Sequence, residues 1–589
     1  MKKYGYSILF LSDDRSDITK LSTDACHDLG LDTICKELTD DAREQEMITD
    51  ILSSMTPDPK TARYRQHIFA DILGLPELRK RMTELFDKIE FIRNFTVSNR
   101  ETDENIGFWH LMHRLNELDD YISCVEEMRN CLSEYDIKSE GLIGFRDYIT
   151  ELYNEAFFAE MKKDITELKK KASPVQSVTL GINVNSRFEA ISMGLISVND
   201  KPFKKSGIIS NFADAIASED SIQSGSEWDG AMHYHPVESK KVNSVSGFVE
   251  KLAGFSVVTN TPLMDGRIRS TVVNSVQGDD TNNVPFYLDK VLNKMLSNLI
   301  RRLRDILNKY ANIAIINISR IIPEFIYYIR FADFIGRQKE RGFAFCEAEV
   351  AEEGDASMKA EGLYNLKLAV SLAEADEIVT NDLVFDSTHT VYILTGANRG
   401  GKTTLTQAVG LLFVLAQGGI FVPASSFRYR PVDCVYTHFP ADEDKTLDLG
   451  RLGEECVRFR EIYSQCTEDS LLLLNETFST TSFEEGFYIA SDSVKALLRK
   501  KVRTIYNTHM HKLSDEVENI NSFLDGAKAS PLTMLSDEGK RSFKAVVMPS
   551  EGMSYARDIA EKYGVTYELL TSGESDKTDS SDSEKTDRK

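Results

Sequence analysis

The sequence predicts a multidomain protein in which an all-α core domain, carrying a small mixed subdomain, is followed by an α/β domain on a parallel sheet. The 589 residues are too many for one ordinary hydrophobic core. From about 57 to 175, apolar residues recur three and four positions apart, which predicts helices. From 360 to 570, short apolar runs alternate with helical segments, which is typical of a parallel sheet flanked by helices.

Composition and charge exclude several classes of protein. A hydrophobic content of 41% with 28% charged residues is typical of a folded soluble chain. The net charge of −23 argues against indiscriminate nucleic-acid binding, although it leaves room for a local basic patch. The eight cysteines form no C-x-x-C pair, which argues against a zinc site or a disulfide framework. Because we find neither a bilayer-length apolar stretch nor a signal-peptide cleavage site, we expect a cytoplasmic protein.

Changes in composition along the chain predict where its domains begin and end. The predicted segments are an N-terminal segment at 1–55, a helical core at 56–345 with an inserted subdomain at about 176–285, an α/β domain at 346–570 and a disordered tail at 571–589. The tail is predicted from its lack of apolar residues, because such a segment has nothing to bury.

The inserted subdomain has a different character from the helices around it. Residues 177–198 are β-branched and punctuated by glycine, which predicts a few strands. Residues 199–283 are polar, and we expect them to form a protruding or mobile part of the subdomain. Their lysines include two local clusters, Lys201-Lys204-Lys205 and Lys240-Lys241.

A long helix is predicted at 286–312, where apolar residues advance by three or four positions and share one face. Arg301, Arg302 and Arg304 lie mostly off that face. One interpretation is a strut with a packed side and a solvated charged side. The other is an arm that contacts DNA.

A phosphate-binding loop is the most specific motif of the chain. Residues 396–403 match the pattern G-x-x-x-x-G-K-[ST], between an apolar strand and a predicted helix, which is the context that the motif requires. Glycines let backbone N–H groups surround phosphates, the lysine contacts the β- and γ-phosphates, and the threonine hydroxyl can bind Mg²⁺. The predicted nucleotide-binding residues are Gly396, Ala397, Asn398, Arg399, Gly400, Gly401, Lys402, Thr403 and Thr404.

A second motif follows the leucine-rich strand at 471–474. An acidic pair normally stands at this point, where the first carboxylate helps to hold Mg²⁺ and the second addresses the attacking water. Here the pair is Asn475-Glu476. Asn475 keeps an acceptor oxygen without the charge, so we expect weaker metal binding, with Thr403 and Asn475 as the metal-facing residues. Glu476 is the predicted catalytic residue. A degenerate site that binds nucleotide without turnover is the alternative.

His509 is the other predicted catalytic residue. It follows the apolar strand at 502–507, and the carboxyl ends of parallel strands form the ligand-binding edge of such a sheet. The imidazole could therefore donate a hydrogen bond to the γ-phosphate. The alternative for a single histidine is a purely structural role.

Together these residues resemble the MutS family of mismatch-repair ATPases. TGANRGGKTT resembles the family's TGPNMGGKST, NETFSTTSFEEG its DELGRGTSTFDG, and NTHMHKL its T-H-x-x-x-L segment. GMSYARDIAEKYG resembles the family's closing helix, and RYRQHIFADILGLPELRKRM the opening of its helical lever domain. The resemblance implies a lever with a clamp-like subdomain and a P-loop ATPase domain of the ABC type, using ATP and Mg²⁺.

The resemblance also implies a homodimer with composite ATP sites. Each site would receive a signature segment from the partner, and residues 448–463 match that segment, with Gly450 near the family's signature serine. The aromatic residue that stacks on adenine is missing, and Ile378 stands there instead. Only about 55 residues precede the core, and they contain no F-x-E motif, so we expect a form without the mismatch-recognition and connector domains.

The resulting functional hypothesis is a Mg²⁺-dependent ATPase that binds duplex or branched DNA as a dimeric, ATP-gated clamp. It would not read mismatches by base insertion, and its DNA-contacting patch is predicted at 199–275. The alternative is a nucleotide-gated scaffold that binds another protein and hydrolyses little or no ATP.

Overall fold

The computed structural model describes residues 6–11, 15–97, 108–172, 177–184, 186, 190–199, 297–310, 321–352, 357–440, 450–537, 540–549 and 563–571. The chain divides into two compact units. The first comprises residues 1–83, 131–147 and 320–589, and the second comprises 84–130 and 148–319. This mixture of helices and sheets agrees with the predicted multidomain class. The predicted domain boundaries stay predictions.

The described helices, numbered in chain order, are α1 (Thr23–Leu29), α2 (Leu31–Leu38), α3 (Ala42–Leu52), α4 (Pro59–Gly74), α5 (Pro76–Val97), α6 (Phe108–Glu134), α7 (Glu140–Asn154), α8 (Ala156–Ala172), α9 (Ser297–Lys309), α10 (Ile322–Glu340), α11 (Leu366–Ser371), α12 (Lys402–Gln417), α13 (Gly450–Gln465), α14 (Phe483–Lys500), α15 (His511–Asp515), α16 (Val517–Ser522) and α17 (Tyr567–Thr571). A 3₁₀ turn spans Ala375–Glu377.

The described strands are β1 (Thr19–Lys20), β2 (Ser54–Met55), β3 (Ser177–Val184), β4 (Ala190–Asn199), β5 (Glu349–Val350), β6 (Met358–Leu363), β7 (Asn381–Phe385), β8 (His389–Thr395), β9 (Ser426–Tyr429), β10 (Val435–His438), β11 (Leu471–Asn475), β12 (Arg503–Asn507), β13 (Lys528–Asp537) and β14 (Lys540–Val546).

Two predictions for the helical core are confirmed, in segments that belong to both units. Helices α5 to α8 account for most of the region from 57 to 175 that shows helical periodicity, and β3 pairs with β4 in an antiparallel hairpin where strands were predicted. Of the helix predicted at 286–312, the structure describes α9. Leu303 and Tyr310 are buried while Arg301 and Arg302 are exposed, as the apolar periodicity predicts.

The N-terminal helices of the first unit begin at conventional capping residues. Ser22 accepts a hydrogen bond from the backbone N–H of Ala25 at 3.0 Å, and Asp41 accepts one from Arg43 at 2.7 Å. Each side chain satisfies a backbone donor that has no partner inside its helix. Gly30, at φ = 74°, ends α1 in the left-handed region that favours glycine.

The main sheet of the first unit has the strand order β10-β11-β12-β8-β13-β14. The first five strands are parallel, and β14 pairs antiparallel with β13 at one edge. All five residues of β11 are buried, because helices cover both faces of a parallel sheet. A second sheet has the order β5-β9-β6-β7, and β1 pairs with β2 separately.

Helix α12 is the packing centre of the first unit. A Cβ atom added at Gly410 would meet Leu29 of α1 at 2.5 Å and Leu473 of β11 at 2.7 Å, so this glycine lets the N-terminal helices approach closely. At the other end, Arg65 of α4 donates a hydrogen bond to the carbonyl oxygen of Gln417 at 2.8 Å. The N-terminal helices and α12 therefore share one hydrophobic core.

Several sequence predictions lie outside the described residues. These are the strand-flanking region at 200–285 with its lysine clusters, most of the C-terminal segment at 552–564 and most of the tail at 571–589. Among the helices that the structure does describe, none combines the length and apolar character needed to cross a membrane.

Candidate nucleotide-binding site

The loop predicted to bind phosphate joins the end of β8 to the start of α12. Gly396 and Gly401 have φ angles of 137° and 93°, which glycine adopts without steric cost. A Cβ atom at Gly396 would lie 2.8 Å from Cβ of Met534, so a larger residue has no room. Asn398 and Arg399 are exposed at the tip of the loop, and Arg399 has φ = 58°. The turn thus depends on glycine at both of its ends.

Lys402 folds back over the loop that precedes it. Its Nζ donates to the carbonyl oxygens of Gly396 at 3.1 Å and of Ala397 at 3.3 Å. Burial lowers the pKa of the Lys402 ammonium, and the nearby Glu476 carboxylate partly opposes this shift. A desolvated ammonium group beside a glycine loop is well placed to exchange backbone carbonyls for the more basic oxygens of a phosphate.

Thr403 and Asn475 are directly connected. The Thr403 hydroxyl donates to Oδ1 of Asn475 at 3.0 Å. The structure thus brings together the first residues of α12 and the end of β11, as predicted for the metal-facing pair. Asn507, at the end of β12, was not singled out from the sequence. Its Nδ2 donates both to Oδ1 of Asn475 and, at 3.3 Å, to Oγ1 of Thr403.

Glu476 and His509 form a second contact at the same edge of the sheet. His509 Nε2 lies 2.9 Å from Oε1 of Glu476, and His509 Nδ1 lies 3.4 Å from Nζ of Lys402. Glu476 has φ = 54°, and its backbone N–H donates to the carbonyl oxygen of Asn507 at 2.9 Å. The bend turns this side chain away from the strand direction and toward the loop.

The residues present fit a hard cation that is bound mainly through phosphate oxygens and water. Two acceptors at this edge, Oε2 of Glu476 and Oδ1 of Asn507, are buried without a hydrogen-bond partner in the part of the chain that the structure describes. Unpartnered oxygen acceptors are the groups to which waters bound to Mg²⁺ donate. Within the described part of the chain, no group of three or more His, Cys, Asp or Glu residues could hold a metal ion without such help.

Two residues of β13 and β14 also lie against the loop. Phe543 Cδ1 is 3.3 Å, and Met534 Cε 3.4 Å, from the position of a Cβ atom added at Gly401. Phe543 is 42% exposed, has φ = 57°, and its carbonyl oxygen accepts a hydrogen bond from Asn381 at 3.1 Å. An aromatic ring held beside a phosphate loop offers a surface for a nucleobase. No local sequence pattern indicated these positions, because they depend on the pairing of β13 with β8 and of β14 with β13.

Ile378, the predicted adenine contact, follows the 3₁₀ turn and packs on a small cluster formed by Phe343, Tyr364 and Ala369. Ala369 belongs to α11, the two aromatic residues lie outside the named elements, and the cluster includes no residue of the loop at 396–403. Thr404 is half-buried, and its carbonyl oxygen accepts a hydrogen bond from Asn365 at 2.8 Å.

Helix α13 covers most of the predicted signature segment. It begins at Gly450, which has φ = 68°, and no atom of the described residues lies within 4 Å of a Cβ atom built there. The helix N-terminus, where unpaired N–H groups carry partial positive charge, therefore starts at the predicted residue.

A buried histidine connects α13 to the segment after Glu476. His438 Nδ1 is 3.0 Å from Oγ1 of Thr477, and its Nε2 is 3.3 Å from the carbonyl oxygen of Glu455 on α13. Burial, followed by the Arg458 charge, lowers the pKa of His438 to about 4. Glu476 is therefore fixed on one side by His509 and, through its neighbour Thr477, by a neutral histidine on the other.

Two family models match this chain. MutS domain V matches residues 392–575, and the MutS2 N-terminal domain matches residues 57–205. The first match contains the loop, Asn475, Glu476 and His509. The second covers helices of the core and the hairpin of β3 and β4.

Individual MutS and MutS2 proteins also match parts of this chain. The chain is 29% identical to the DNA mismatch repair protein MutS of Chlorobium phaeobacteroides, over 39% of this chain and 26% of the relative. It is 26% identical to that of Chlamydia trachomatis, over 42% and 32% respectively. It is 28% identical to Endonuclease MutS2 of Thermus thermophilus, over 34% and 26%. The chain thus spans about a quarter to a third of these curated relatives.

Proposed function

Because this chain belongs to the MutS family, we propose that it is a Mg²⁺-dependent ATPase that binds DNA as a dimeric, ATP-gated clamp. It would not read mismatches by base insertion. The observation that carries the proposal is the convergence of Lys402, Thr403 and Glu476 at one edge of a parallel sheet. Lys402 supplies the cation that binds phosphate, Thr403 the hydroxyl that faces the metal and Glu476 the carboxylate that addresses the water.

Binding of the triphosphate is assigned to the loop at 396–403 and to Lys402. The glycine turns leave backbone N–H groups to surround the phosphates, and the first turn of α12 adds partial positive charge. Phe543 is assigned to the nucleobase because its exposed ring lies beside Gly401. Ile378 remains the alternative base contact predicted from the sequence.

The metal would be held by Thr403, whose hydroxyl Asn475 orients, by the phosphates and by waters that donate to Glu476 and Asn507. Mg²⁺ bound there would offset the charge that develops on the phosphate oxygens during transfer. Asn475 supplies no negative charge, so the remaining negative charge beside the metal comes from Glu476. This supports metal binding that is weaker than in a site with two carboxylates.

Hydrolysis is assigned to Glu476, which would orient and deprotonate the attacking water. His509 contacts the same carboxylate through Nε2 and also approaches Lys402 through Nδ1. In this arrangement His509 fixes the rotamer of Glu476 and responds to the γ-phosphate that Lys402 binds.

Dimerisation would complete the site. Helix α13 begins at Gly450, and no described residue crowds that position, so its N-terminal N–H groups could face the phosphates bound by a second copy. The contact of His438 with both α13 and Thr477 would then connect the partner's nucleotide to Glu476 of the same chain.

DNA contact is assigned to exposed cations of the second unit. Helix α8 has five lysines against three carboxylates, and α9 has four basic residues against one. Lys163, Lys170, Arg301 and Arg302 are all exposed. In a chain of net charge −23, a local excess of positive charge marks the surface that a phosphate backbone would approach. The patch predicted at 199–275 remains part of the proposal.

The second candidate is a nucleotide-gated scaffold that hydrolyses little ATP and binds another protein. Asn475 favours it, because a neutral residue at the metal slows or prevents turnover where a carboxylate would support it. The contact between Glu476 and His509 favours the ATPase.

The deciding experiment measures ATP hydrolysis by the purified full-length chain with Mg²⁺ or EDTA. Each assay is repeated without DNA and with linear, mismatched, junction and single-stranded DNA, and Lys402→Ala serves as the inactive control. Mg²⁺-dependent hydrolysis that Lys402→Ala abolishes supports the ATPase. Nucleotide binding without hydrolysis under every condition would favour the scaffold.

A further inference from the structure

Asn475 and Asn507 stand opposite each other at the ends of two neighbouring strands. They are register partners in the parallel pair of β11 and β12, so their side chains leave the same face of the sheet at the same level. Both are buried, Asn507 completely and Asn475 with 8% exposure. Two buried amides therefore contact each other at the edge of the sheet where the phosphates are proposed to bind.

The hydrogen bonds between these residues use up the acceptor capacity of Asn475. Its Oδ1 has two lone pairs and accepts from two donors, the hydroxyl of Thr403 and Nδ2 of Asn507. In the structure the Asn507 amide turns Nδ2 toward Asn475 and Thr403 and its oxygen away from them. Oδ1 of Asn507 is then the buried acceptor of the trio that has no hydrogen-bond partner among the described residues.

We propose that Asn507 is a positioning residue for the metal-bound nucleotide, with Nδ2 fixing Thr403 and Asn475 and with Oδ1 accepting a hydrogen bond from a metal-bound water. The Asn475–Asn507 pair would thus help to hold the hydrated metal, as a single carboxylate at position 475 would. This inference rests on the proposed nucleotide site. It extends that proposal by assigning a role to a residue on a third strand.

A paired amide has a physical advantage in the nucleotide-free protein. A carboxylate at position 475 would be buried next to Glu476 in the chain. Desolvation and repulsion from the Glu476 carboxylate would both disfavour its charged form. Two neutral amides avoid that cost, and Oδ1 of Asn507 still offers an acceptor to the metal's waters. The consequence is a weaker preference for the metal-bound form of the nucleotide.

The test is the affinity for a fluorescent, non-hydrolysable ATP analogue, measured by titration with excess Mg²⁺ and with EDTA. The readout is the ratio of the two dissociation constants. Asn507→Ala should leave the affinity in EDTA within about twofold and reduce the Mg²⁺-dependent gain by roughly five- to tenfold, the scale of one or two hydrogen bonds. Asn475→Ala should also reduce the Mg²⁺-dependent gain. In the double variant the two reductions should not add fully, because both substitutions break the same hydrogen-bonded cluster.

Asn521→Ala is the matched control. Asn521 also holds a strand through two side-chain bonds, to the carbonyl oxygen and N–H of Ala529, and it lies outside the proposed site. It should keep the wild-type ratio. Asn507→Asp keeps the shape but replaces the Nδ2 donor with a charged acceptor, so it should raise the Mg²⁺-dependent gain above the wild-type value. This comparison with the wild type keeps the test decisive if the alanine variant does not fold.

The outcomes separate the two proposals. A wild-type chain that binds no analogue with or without metal would refute the nucleotide site itself. A wild-type chain that binds, together with an Asn507→Ala variant whose affinities fall equally in Mg²⁺ and EDTA, would show a merely structural role and overturn the inference. An unchanged ratio in Asn507→Ala would overturn it as well.

Discussion

His509 Nε2 lies 2.9 Å from Oε1 of Glu476, although 33 positions separate the two residues in the chain. The other oxygen of the Glu476 carboxylate is buried without a partner. One oxygen is therefore oriented and the other is left to accept a hydrogen bond from a water. This is the arrangement expected of a group that activates a nucleophilic water.

Glu476→Gln should abolish hydrolysis while nucleotide binding remains. Loss of a general base costs roughly 10²-fold or more in turnover, whereas the amide still fills the same space. The measurements are steady-state ATP hydrolysis and analogue affinity, with Glu484→Gln, on the exposed first turn of α14, as the control. His509→Ala should cause a smaller decrease, because it removes only the orientation. Wild-type turnover in Glu476→Gln would move the catalytic role to another residue.

Asn475→Asp should strengthen metal binding. Oδ1 of Asn475 contacts Thr403, so a full negative charge there would act on the metal at close range and lower the Mg²⁺ concentration for half-maximal hydrolysis by roughly fivefold or more. Affinity for ATP in EDTA should change little. If the neutral residue instead slows a timer-like site, the variant will also hydrolyse faster at saturating Mg²⁺. If neither the midpoint nor the rate moves, residue 475 does not face the metal.

His438 should make the first unit sensitive to mild acid. Burial lowers its pKa from 6.5 to about 4, so the unfolded chain binds a proton between these values that the folded chain rejects. Its contribution is complete above pH 6.5 and is lost as the pH falls toward 4. The loss is on the order of 3 kcal/mol at the acid end. His438→Gln, which cannot be protonated, should flatten urea-unfolding midpoints across this range. If the urea midpoints of the wild type and of His438→Gln fall equally as the pH is lowered, the role assigned to His438 is wrong.

Reversing the charges on α9 should weaken DNA binding. Arg301→Glu with Arg302→Glu should lower affinity and reduce the salt dependence by about one unit of slope per lost phosphate contact. Lys60→Glu with Lys80→Glu changes the net charge equally on exposed positions of the first unit and serves as the control. Equal losses in both double variants would indicate a general charge effect. A strong preference for a mismatched duplex would contradict the proposal that mismatches are not read.

The contiguous motifs of the site could be found from the sequence. The loop, Asn475-Glu476 and His509 each occupy a short segment whose spacing is set by one strand and one turn. The helices from 57 to 172 and the hairpin of β3 and β4 were predictable for the same reason, because periodicity is local.

Contacts between strands distant in the chain could not be found in this way. Asn507 gains its meaning from its register with Asn475, and Phe543 from the pairing of β14 with β13. No local pattern specifies strand order, so neither residue differs in sequence from an ordinary strand residue. The packing of Leu29 against Gly410 is equally non-local.

The shared core of α1, α4 and α12 also constrains how the protein is made. Residues up to 83 belong to the same compact unit as residues 320–589. The N-terminal helices therefore cannot complete their packing until the later residues have been synthesised. At a synthesis rate of about 5–20 residues per second, the interval is roughly half a minute to a minute and a half. Leu29, Ile34 and Phe69, all fully buried in the finished fold, lack their final cover during that time. Ribosome-bound chains halted near residue 345 should therefore be cut by protease within the first 83 residues, where the released full-length chain resists.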